Sequence, residues 1–143
     1  MKIIEKSALV PHTAEQMFLL VDDIDAYATF LPWCSRSQVI ERSANEVKGY
    51  LEISYGQLNK SFVTRNINTP YSQIEMQLVE GPFKYLKGLW LFTPLGSDGC
   101  KVELNMEFEF ASKLLDMTVG PVFGKLVGSL VDAFTERAKK IYA

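Results

Sequence analysis

The sequence contains few of the residues that build metal or disulfide sites. Its 143 residues include one histidine, His12, and two widely separated cysteines, Cys34 and Cys100. One histidine and two distant thiols cannot supply the ligands of an ordinary zinc site, so no metal is expected. Cysteines without paired spacing favour a reducing compartment over a disulfide scaffold, and we therefore expect a cytoplasmic protein.

Long apolar runs and excess positive charge are also missing. No apolar stretch approaches the ~18 residues of a membrane span, and the start, "MKIIEKSALVPH", lacks the apolar core of a signal peptide. The formal net charge is −2, whereas proteins that bind nucleic acid non-specifically carry a strongly basic surface. We expect no DNA partner, although this charge is compatible with a specific contact to a ribonucleoprotein.

Repeats, linkers and low-complexity tracts are absent, and the length fits a single domain over residues 1–143. The stretch Lys2–Val10 has the composition of a strand. The sequence "TAEQ", Thr13 to Gln16, has the capping-box form of a helix start. Asp23 is placed to cap a second short helix, which Pro32 ends.

From Cys34 to Ala111 the hydrophobic period is two residues. Residues 46–55 and 101–110 alternate apolar and polar side chains most clearly, which predicts strands with one face toward a core. Turn signals such as Asp98-Gly99 separate the stretches of this region. Strands joined by short turns predict an antiparallel meander and not a set of parallel crossover units.

The C-terminal residues return to helical spacing. Gly120-Pro121 interrupts the pattern, so we predict a short turn over residues 113–118 and one long helix from about Pro121. The apolar stripe of this region comprises Val119, Phe123, Leu126, Leu130, Phe134 and Ile141. The predicted fold class is α+β: a curved antiparallel sheet of about seven strands wrapped around a long C-terminal helix, with two short helices after the first strand.

Aromatic side chains concentrate in two segments, "YATFLPWC" (residues 27–34) and "GPFKYLKGLWLF" (residues 81–92). Each aromatic alone is compatible with core packing. Together, however, they put apolar bulk into turn sequences, which indicates that these turns cover a hydrophobic pocket. The predicted ligand-binding residues are Tyr27, Phe30, Pro32, Trp33, Cys34, Phe83, Trp90, Phe92, Phe123, Gly124 and Val127.

Glycines recur every four residues in the predicted long helix, at Gly120, Gly124 and Gly128. Each interior glycine is about 1 kcal/mol less favourable than alanine, so the spacing needs a reason. One interpretation is close packing of the helix on its neighbours. The other, which we favour because of the aromatic turns, is that Gly124 leaves open volume for a ligand.

No residue set with catalytic spacing is evident. A thiol nucleophile needs a histidine to take its proton, and nothing in the sequence places His12 beside Cys34. Glu103, Glu107 and Glu109 share the polar face of their strand and should lie outside any cavity. The acidic run "DDID" lacks the spacing of a calcium loop. We therefore interpret the protein as a binder and not an enzyme.

Three segments carry a family resemblance: "YATFLPWC", "GPFKYLKGLWLF" and "AFTERAKKIY" (residues 133–142). Together they resemble the START-like helix-grip superfamily, also called polyketide cyclase/dehydrase, in its coenzyme Q-binding branch, which includes a bacterial ribosome association toxin. The resemblance extends from about Ile4 to Tyr142. Ala28 departs from it, because the family usually has proline at this position.

The resemblance implies a hydrophobic pocket, no established catalytic set and no cofactor other than ubiquinone as a bound ligand. Its first implied function is binding of this quinone to support respiration, as a carrier or chaperone, with peripheral contact to the inner membrane. Its alternative is binding to the large ribosomal subunit, which blocks the association of subunits into 70S particles. The basic cluster Arg137, Lys139 and Lys140 fits either a helix C-terminus or a small patch for anionic lipid or ribosomal RNA.

Overall fold

A computed structural model describes residues 1–142. The first strand and the short helices come in the order β1 (Lys2–Val10), α1 (Ala14–Asp22), a 3-10 turn (Ile24–Ala26) and α2 (Tyr27–Phe30). Six strands follow: β2 (Cys34–Arg42), β3 (Glu46–Tyr55), β4 (Leu58–Thr69), β5 (Gln73–Glu80), β6 (Phe83–Leu95) and β7 (Gly99–Phe110). The chain then forms α3 (Lys113–Thr118), α4 (Gly120–Gly128) and α5 (Leu130–Ile141).

The strands form one antiparallel sheet in the order β1-β7-β6-β5-β4-β3-β2. Strands β2 to β6 each pair with the next strand along the chain, as the short turns predict. The first strand instead joins the far edge, where Lys2 pairs with Phe108 and Val10 with Cys100. The curved seven-stranded sheet with C-terminal and short helices confirms the predicted fold class.

The C-terminal helices lie on the inner face of the sheet. The ring of Phe123 in α4 meets Phe108 of β7 at 4.8 Å between centroids. Phe134 in α5 meets Trp90 of β6 edge-on at 5.4 Å. All four side chains are at most 3 % exposed, so these aromatic contacts form the centre of the core.

The predicted long C-terminal helix is confirmed, with one local interruption at Ser129 between α4 and α5. The Ser129 backbone N–H and hydroxyl both donate to the carbonyl of Leu126, at 3.1 and 2.7 Å. A Gly-Ser pair is a common place for a helix to break, since serine competes for the backbone carbonyls. The apolar stripe also ends early: Ile141 is 48 % exposed, whereas Ala138 is buried.

The capping box before α1 is confirmed. The Thr13 hydroxyl accepts from the Gln16 N–H at 3.1 Å, and the Gln16 side chain accepts from the Thr13 N–H at 2.9 Å. The predicted cap at Asp23 is wrong, because the Asp23 side chain makes no cap hydrogen bond to the 3-10 turn.

The acidic residues next to Asp23 attach the short helices to the sheet. Asp22 forms an ion pair with Arg42 at 2.9 Å and accepts from Asn68 Nδ2 at 2.9 Å. Asp25 Oδ1 accepts from the Val39 N–H at 2.7 Å. Within residues 1–142, no helix is both long and apolar enough to cross a membrane.

Candidate ligand-binding cavity

A cavity of about 60 Å³ lies between the C-terminal helices and the inner face of the sheet. Its helical wall is formed by Phe123, Leu126 and Val127 of α4 and by Leu130 and Phe134 of α5. These positions are three or four residues apart along the helices, so their side chains share one side. The wall is therefore apolar over its whole length.

The sheet supplies the opposite wall. Leu51 and Ile53 of β3, Met76 of β5, Trp90 of β6 and Met106 of β7 all line the cavity. Each belongs to the inward set of its strand, where residues two apart point to the same face. The alternation that predicts the strands thus also selects the side chains that face the cavity.

The segment between α1 and β2 contributes Ile24 of the 3-10 turn, Tyr27 of α2 and Trp33 of the following turn to the cavity lining. Tyr27 is 9 % exposed, its hydroxyl donates to the Val21 carbonyl, and its ring packs on Phe134 at 5.3 Å. Burial, and secondly the negative charges of Asp22 and Asp23, hold the pKa of the Tyr27 phenol far above its ordinary value. Tyr27 is therefore a neutral, anchored part of the wall.

The surface side of the cavity is marked by lining residues that are only partly buried. Trp33, Leu51 and Leu130 are half-buried, whereas Phe134 and Trp90 are enclosed. Trp33 lies at the end of "YATFLPWC", directly before β2, and Leu130 begins α5. Trp33 and Leu130 are therefore lining residues that keep partial contact with solvent.

Five of the eleven residues predicted to bind a ligand line the cavity: Tyr27, Trp33, Trp90, Phe123 and Val127. The other six, Phe30, Pro32, Cys34, Phe83, Phe92 and Gly124, lie outside its lining. Contact of any of the eleven with a ligand stays a prediction.

Three of these outer residues support lining side chains. Phe30 packs on Phe134 at 5.4 Å, and Phe92 stacks on Trp90 at 6.2 Å. Phe83 packs on Phe123 at 5.2 Å. These aromatics pack against the lining side chains and do not themselves line the cavity.

Gly124 faces away from the cavity. A Cβ atom at this position would lie 3.5 Å from Phe108 Cζ and 3.7 Å from Ile4 Cδ1, which is ordinary van der Waals contact. At Gly128 the corresponding neighbour is Lys6 Cε, at 3.5 Å. The structure leaves room for a Cβ atom beside Gly124 but no open volume of the size of a ligand, because Phe108 of β7 and Ile4 of β1 occupy the space beyond it.

Space beside Gly88 is filled by two flexible side chains. The Cε of Met76 and the Sδ and Cε of Met106 occupy the position where a side chain on residue 88 would begin. Both methionines line the cavity. Methionine is unbranched and repacks readily, so this part of the wall can change shape at low cost.

Two polar residues of the cavity, Thr64 and Asn66 of β4, are missing from the sequence-based set. They line the cavity and are 8 % and 5 % exposed, and the Thr64 hydroxyl donates to Asn66 Oδ1 at 3.0 Å. Extending the inward alternation of β4 from Phe62 would have identified both positions. Their polarity hides the signal, because apolar residues are what a period-two pattern selects.

The titratable groups near this region do not form a reactive pair. The Cys34 thiol donates to the Arg36 carbonyl at 3.4 Å, and burial raises its pKa. The His12 ring instead packs near Tyr142, with centroids 5.7 Å apart. Among residues 1–142 no group of three or more His, Cys, Asp or Glu side chains could hold a metal ion.

Sequence comparison assigns the chain to a family. The family described as "Polyketide cyclase / dehydrase and lipid transport" matches residues 10–135, which include all strands from β2 to β7 and every residue that lines the cavity. The chain belongs to the polyketide cyclase/dehydrase and lipid transport family. The family resemblance inferred from the three sequence segments is thereby confirmed.

Two relatives within this family carry different names. The ribosome association toxin RatA of Vibrio cholerae serotype O1 is 48 % identical over 142 residues, which cover 99 % of each chain. The mitochondrial coenzyme Q-binding protein COQ10 homolog B of Xenopus laevis is 29 % identical over 141 residues, which cover 96 % of this chain and 58 % of that protein.

Among solved structures, the Zhui aromatase/cyclase of Streptomyces sp. R1128 superposes with a TM-score of 0.80 at 15 % identity. The match covers 99 % of this chain and 96 % of that one. At this identity the match concerns the polyketide cyclase/dehydrase fold alone.

Proposed function

We propose that the protein binds a hydrophobic isoprenoid quinone, such as ubiquinone, in the cavity between the C-terminal helices and the sheet. The observation that carries this proposal is the apolar lining. Within the described chain, none of the lining residues is charged. Asn66 and Thr64 supply an amide and an aliphatic hydroxyl, and the hydroxyl of the lining residue Tyr27 is engaged by the Val21 carbonyl. Apolar pockets with a few placed polar groups are typical of sites for small hydrophobic ligands.

The size of the cavity sets a condition on binding. A volume of about 60 Å³ has room for a few water molecules but not for a quinone ring and its isoprenoid chain. Lining side chains must therefore move when the ligand enters. Met76 and Met106 can repack, and the half-buried Trp33 and Leu130 lie on the surface side of the cavity.

The protonation state of the thiol supports a carrier or chaperone in preference to an enzyme. Burial raises the pKa of Cys34, which keeps the thiol in its weakly nucleophilic form. His12, the residue that would activate it, packs against Tyr142 instead. The fold itself does not distinguish a binding protein from an enzyme, since a protein of the same fold is named as an aromatase/cyclase.

Tryptophan fluorescence tests quinone binding, because Trp33 and Trp90 both line the cavity. Titration with a short-chain ubiquinone should quench the emission to saturation. Val127→Phe adds bulk to the cavity wall. It should raise the quinone concentration that gives half-maximal quenching at least tenfold. Leu114→Phe is the matched control, since Leu114 is 71 % exposed on α3. A linear response, equal in all three proteins, would refute quinone binding at this site.

A second proposed function is association with the large ribosomal subunit, because a relative that is 48 % identical over nearly its full length is named a ribosome association toxin. Such a partner would place the protein in the cytoplasm, whereas a membrane quinone would bring it to a membrane surface.

The basic cluster gives limited support for an RNA contact. Arg137 lies over the ring of Phe30, 5.0 Å from its centroid, and Lys139 pairs with Glu136 at 2.9 Å. Sedimentation with isolated large subunits tests the idea. We expect co-sedimentation at low salt that Lys140→Glu weakens and Val127→Phe does not. Failure to co-sediment at any salt concentration would eliminate this second function.

A further inference from the structure

The inward face of β4 carries two polar side chains that line a mainly hydrophobic cavity. Thr64 and Asn66 are two residues apart on this strand, so both side chains point to the inner face of the sheet. Both are more than nine-tenths buried. Buried polar side chains are nearly always hydrogen-bonded, so a buried polar group in an apolar wall is expected to have a partner.

The surroundings of the pair offer few alternative partners. Across the ladder, Thr64 faces Gly49 of β3, and Asn66 lies between Val47 of β3 and Met76 of β5. The next inward residue, Asn68, donates its Nδ2 to Asp22 at 2.9 Å and does not line the cavity. The neighbours across the strands therefore present no polar side chain to the pair.

The side-chain amide of Asn66 has one polar end engaged and one end unused. Its Oδ1 accepts the Thr64 hydroxyl proton at 3.0 Å. In the part of the chain that the structure describes, no group accepts a hydrogen bond from Asn66 Nδ2. The fully enclosed side-chain atoms without a partner are His12 Nε2 and Asn68 Oδ1. Asn66 Nδ2 is not one of them, so it is not fully enclosed, and Asn66 is a lining residue of the cavity.

We propose that Asn66, held by Thr64, donates a hydrogen bond from Nδ2 to a carbonyl oxygen of the bound ligand. This inference rests on the proposed binding of a hydrophobic molecule in the cavity and specifies its recognition group: an apolar molecule with a carbonyl, as in a quinone ring. An amide that donates to a carbonyl distinguishes ligands sharply, because a molecule without the acceptor leaves the buried donor unpaired. Thr64 acts as a positioning residue.

Two probes with the same tail separate the polar contact from the hydrophobic one: a decyl-substituted benzoquinone and decylbenzene. The dissociation constant of each is measured from ligand-induced thermal stabilisation of the full chain. Asn66→Leu replaces the amide with an apolar side chain of similar size. We expect it to weaken quinone binding at least about tenfold, because a buried donor is lost, and to leave decylbenzene binding unchanged or tighter.

A second variant and a spectroscopic measurement remain informative if Asn66→Leu folds poorly. Thr64→Val removes the hydroxyl that holds Oδ1 but keeps the Asn66 donor, so the quinone should lose only a few-fold in affinity. The infrared carbonyl stretch of the bound quinone should lie at lower frequency in the wild type than in apolar solvent. The shift should shrink in Thr64→Val and be absent in Asn66→Leu.

The outcomes distinguish this inference from the function on which it rests. If the wild type binds neither probe, the proposed function fails and the role of Asn66 fails with it. If the wild type binds the quinone and both variants show the same ratio of quinone affinity to decylbenzene affinity as the wild type, only the role of Asn66 is refuted. An unshifted carbonyl stretch in the wild type would also refute the hydrogen bond.

Discussion

The two sides of α4 meet the sheet in opposite ways. On one side a Cβ atom added at Gly124 or Gly128 would be in van der Waals contact with Ile4, Phe108 or Lys6. On the other side the larger Val127 borders the cavity, together with Leu126. The small residues are on the packed side, and the large ones surround the open volume.

This contrast shows that the glycines of α4 face packed side chains and not the cavity. On the other side, the larger side chains of α4 leave a cavity where they do not meet the side chains of the sheet. Side-chain size alone therefore gives no measure of local free volume.

The largest effect should come from truncating the packed side. Phe108 is 0 % exposed and packs on Phe123 at 4.8 Å, so Phe108→Ala should reduce the free energy of unfolding by about 3–5 kcal/mol. Phe62→Ala is the matched control on the cavity side, and we expect a smaller loss because Phe62 borders open volume. Urea denaturation of both variants measures the difference. Equal losses would show that the two sides are packed alike.

Adding bulk to the packed side should have a smaller effect. Gly124→Leu places new atoms against Phe108 and Ile4, so we expect a loss of about 1–3 kcal/mol in the free energy of unfolding, with unchanged quinone affinity. Lys125→Leu, at the next and exposed position of α4, should have little effect. Unchanged stability combined with weaker binding would instead support the sequence-based interpretation of open volume beside Gly124.

On the cavity side, added bulk should be tolerated. Val127→Ile extends a lining residue by one methylene, and the free energy of unfolding should stay constant or rise by up to about 0.8 kcal/mol. The control is Val131→Ile, since Val131 is 3 % exposed and does not line the cavity. Thermal denaturation should show a lower midpoint for the Val131 variant alone. A lower midpoint for the Val127 variant alone would show that the free volume does not lie beside Val127.

The smallest effect should be a decline of stability in alkaline solution. Burial raises the pKa of Cys34 and of Cys100, so the folded chain keeps thiol protons that the unfolded chain loses above about pH 8.5. Because the folded state then binds more protons, the free energy of unfolding falls as the pH rises through this range. Denaturation between pH 7.5 and 9.5 should show a shallower slope for the double variant Cys34→Ala/Cys100→Ala. Identical slopes of the free energy of unfolding against pH in the wild type and the double variant would contradict the raised pKa values of the two thiols.

Much of the fold could be predicted because its signals are local. Strand β3 follows the alternation of residues 46–55, and β1 has the predicted bounds Lys2–Val10. The capping box before α1 is readable from Thr13 and Gln16 alone. Period and capping depend on neighbouring residues, which the sequence displays directly.

The cavity was harder to predict, because it depends on how a helix lies over strands that are distant in sequence. Alternation predicts that Trp90 and Phe92 both point inward, yet Trp90 lines the cavity while Phe92 packs between it and Phe18. The choice is made by α1 and α5, which cover different parts of the same strand. The side of α4 on which Gly124 lies depends likewise on β1 and β7.

The pairing of β1 with β7 has a consequence for synthesis on the ribosome. Lys2 pairs with Phe108, so the first strand has no edge to join until the chain has grown by about another hundred residues. At about 5–20 residues per second this takes roughly 5–20 s. During that time the nascent chain holds an unpaired N-terminal strand with apolar side chains such as Ile4, and native folding must wait for the last strand to emerge from the exit tunnel.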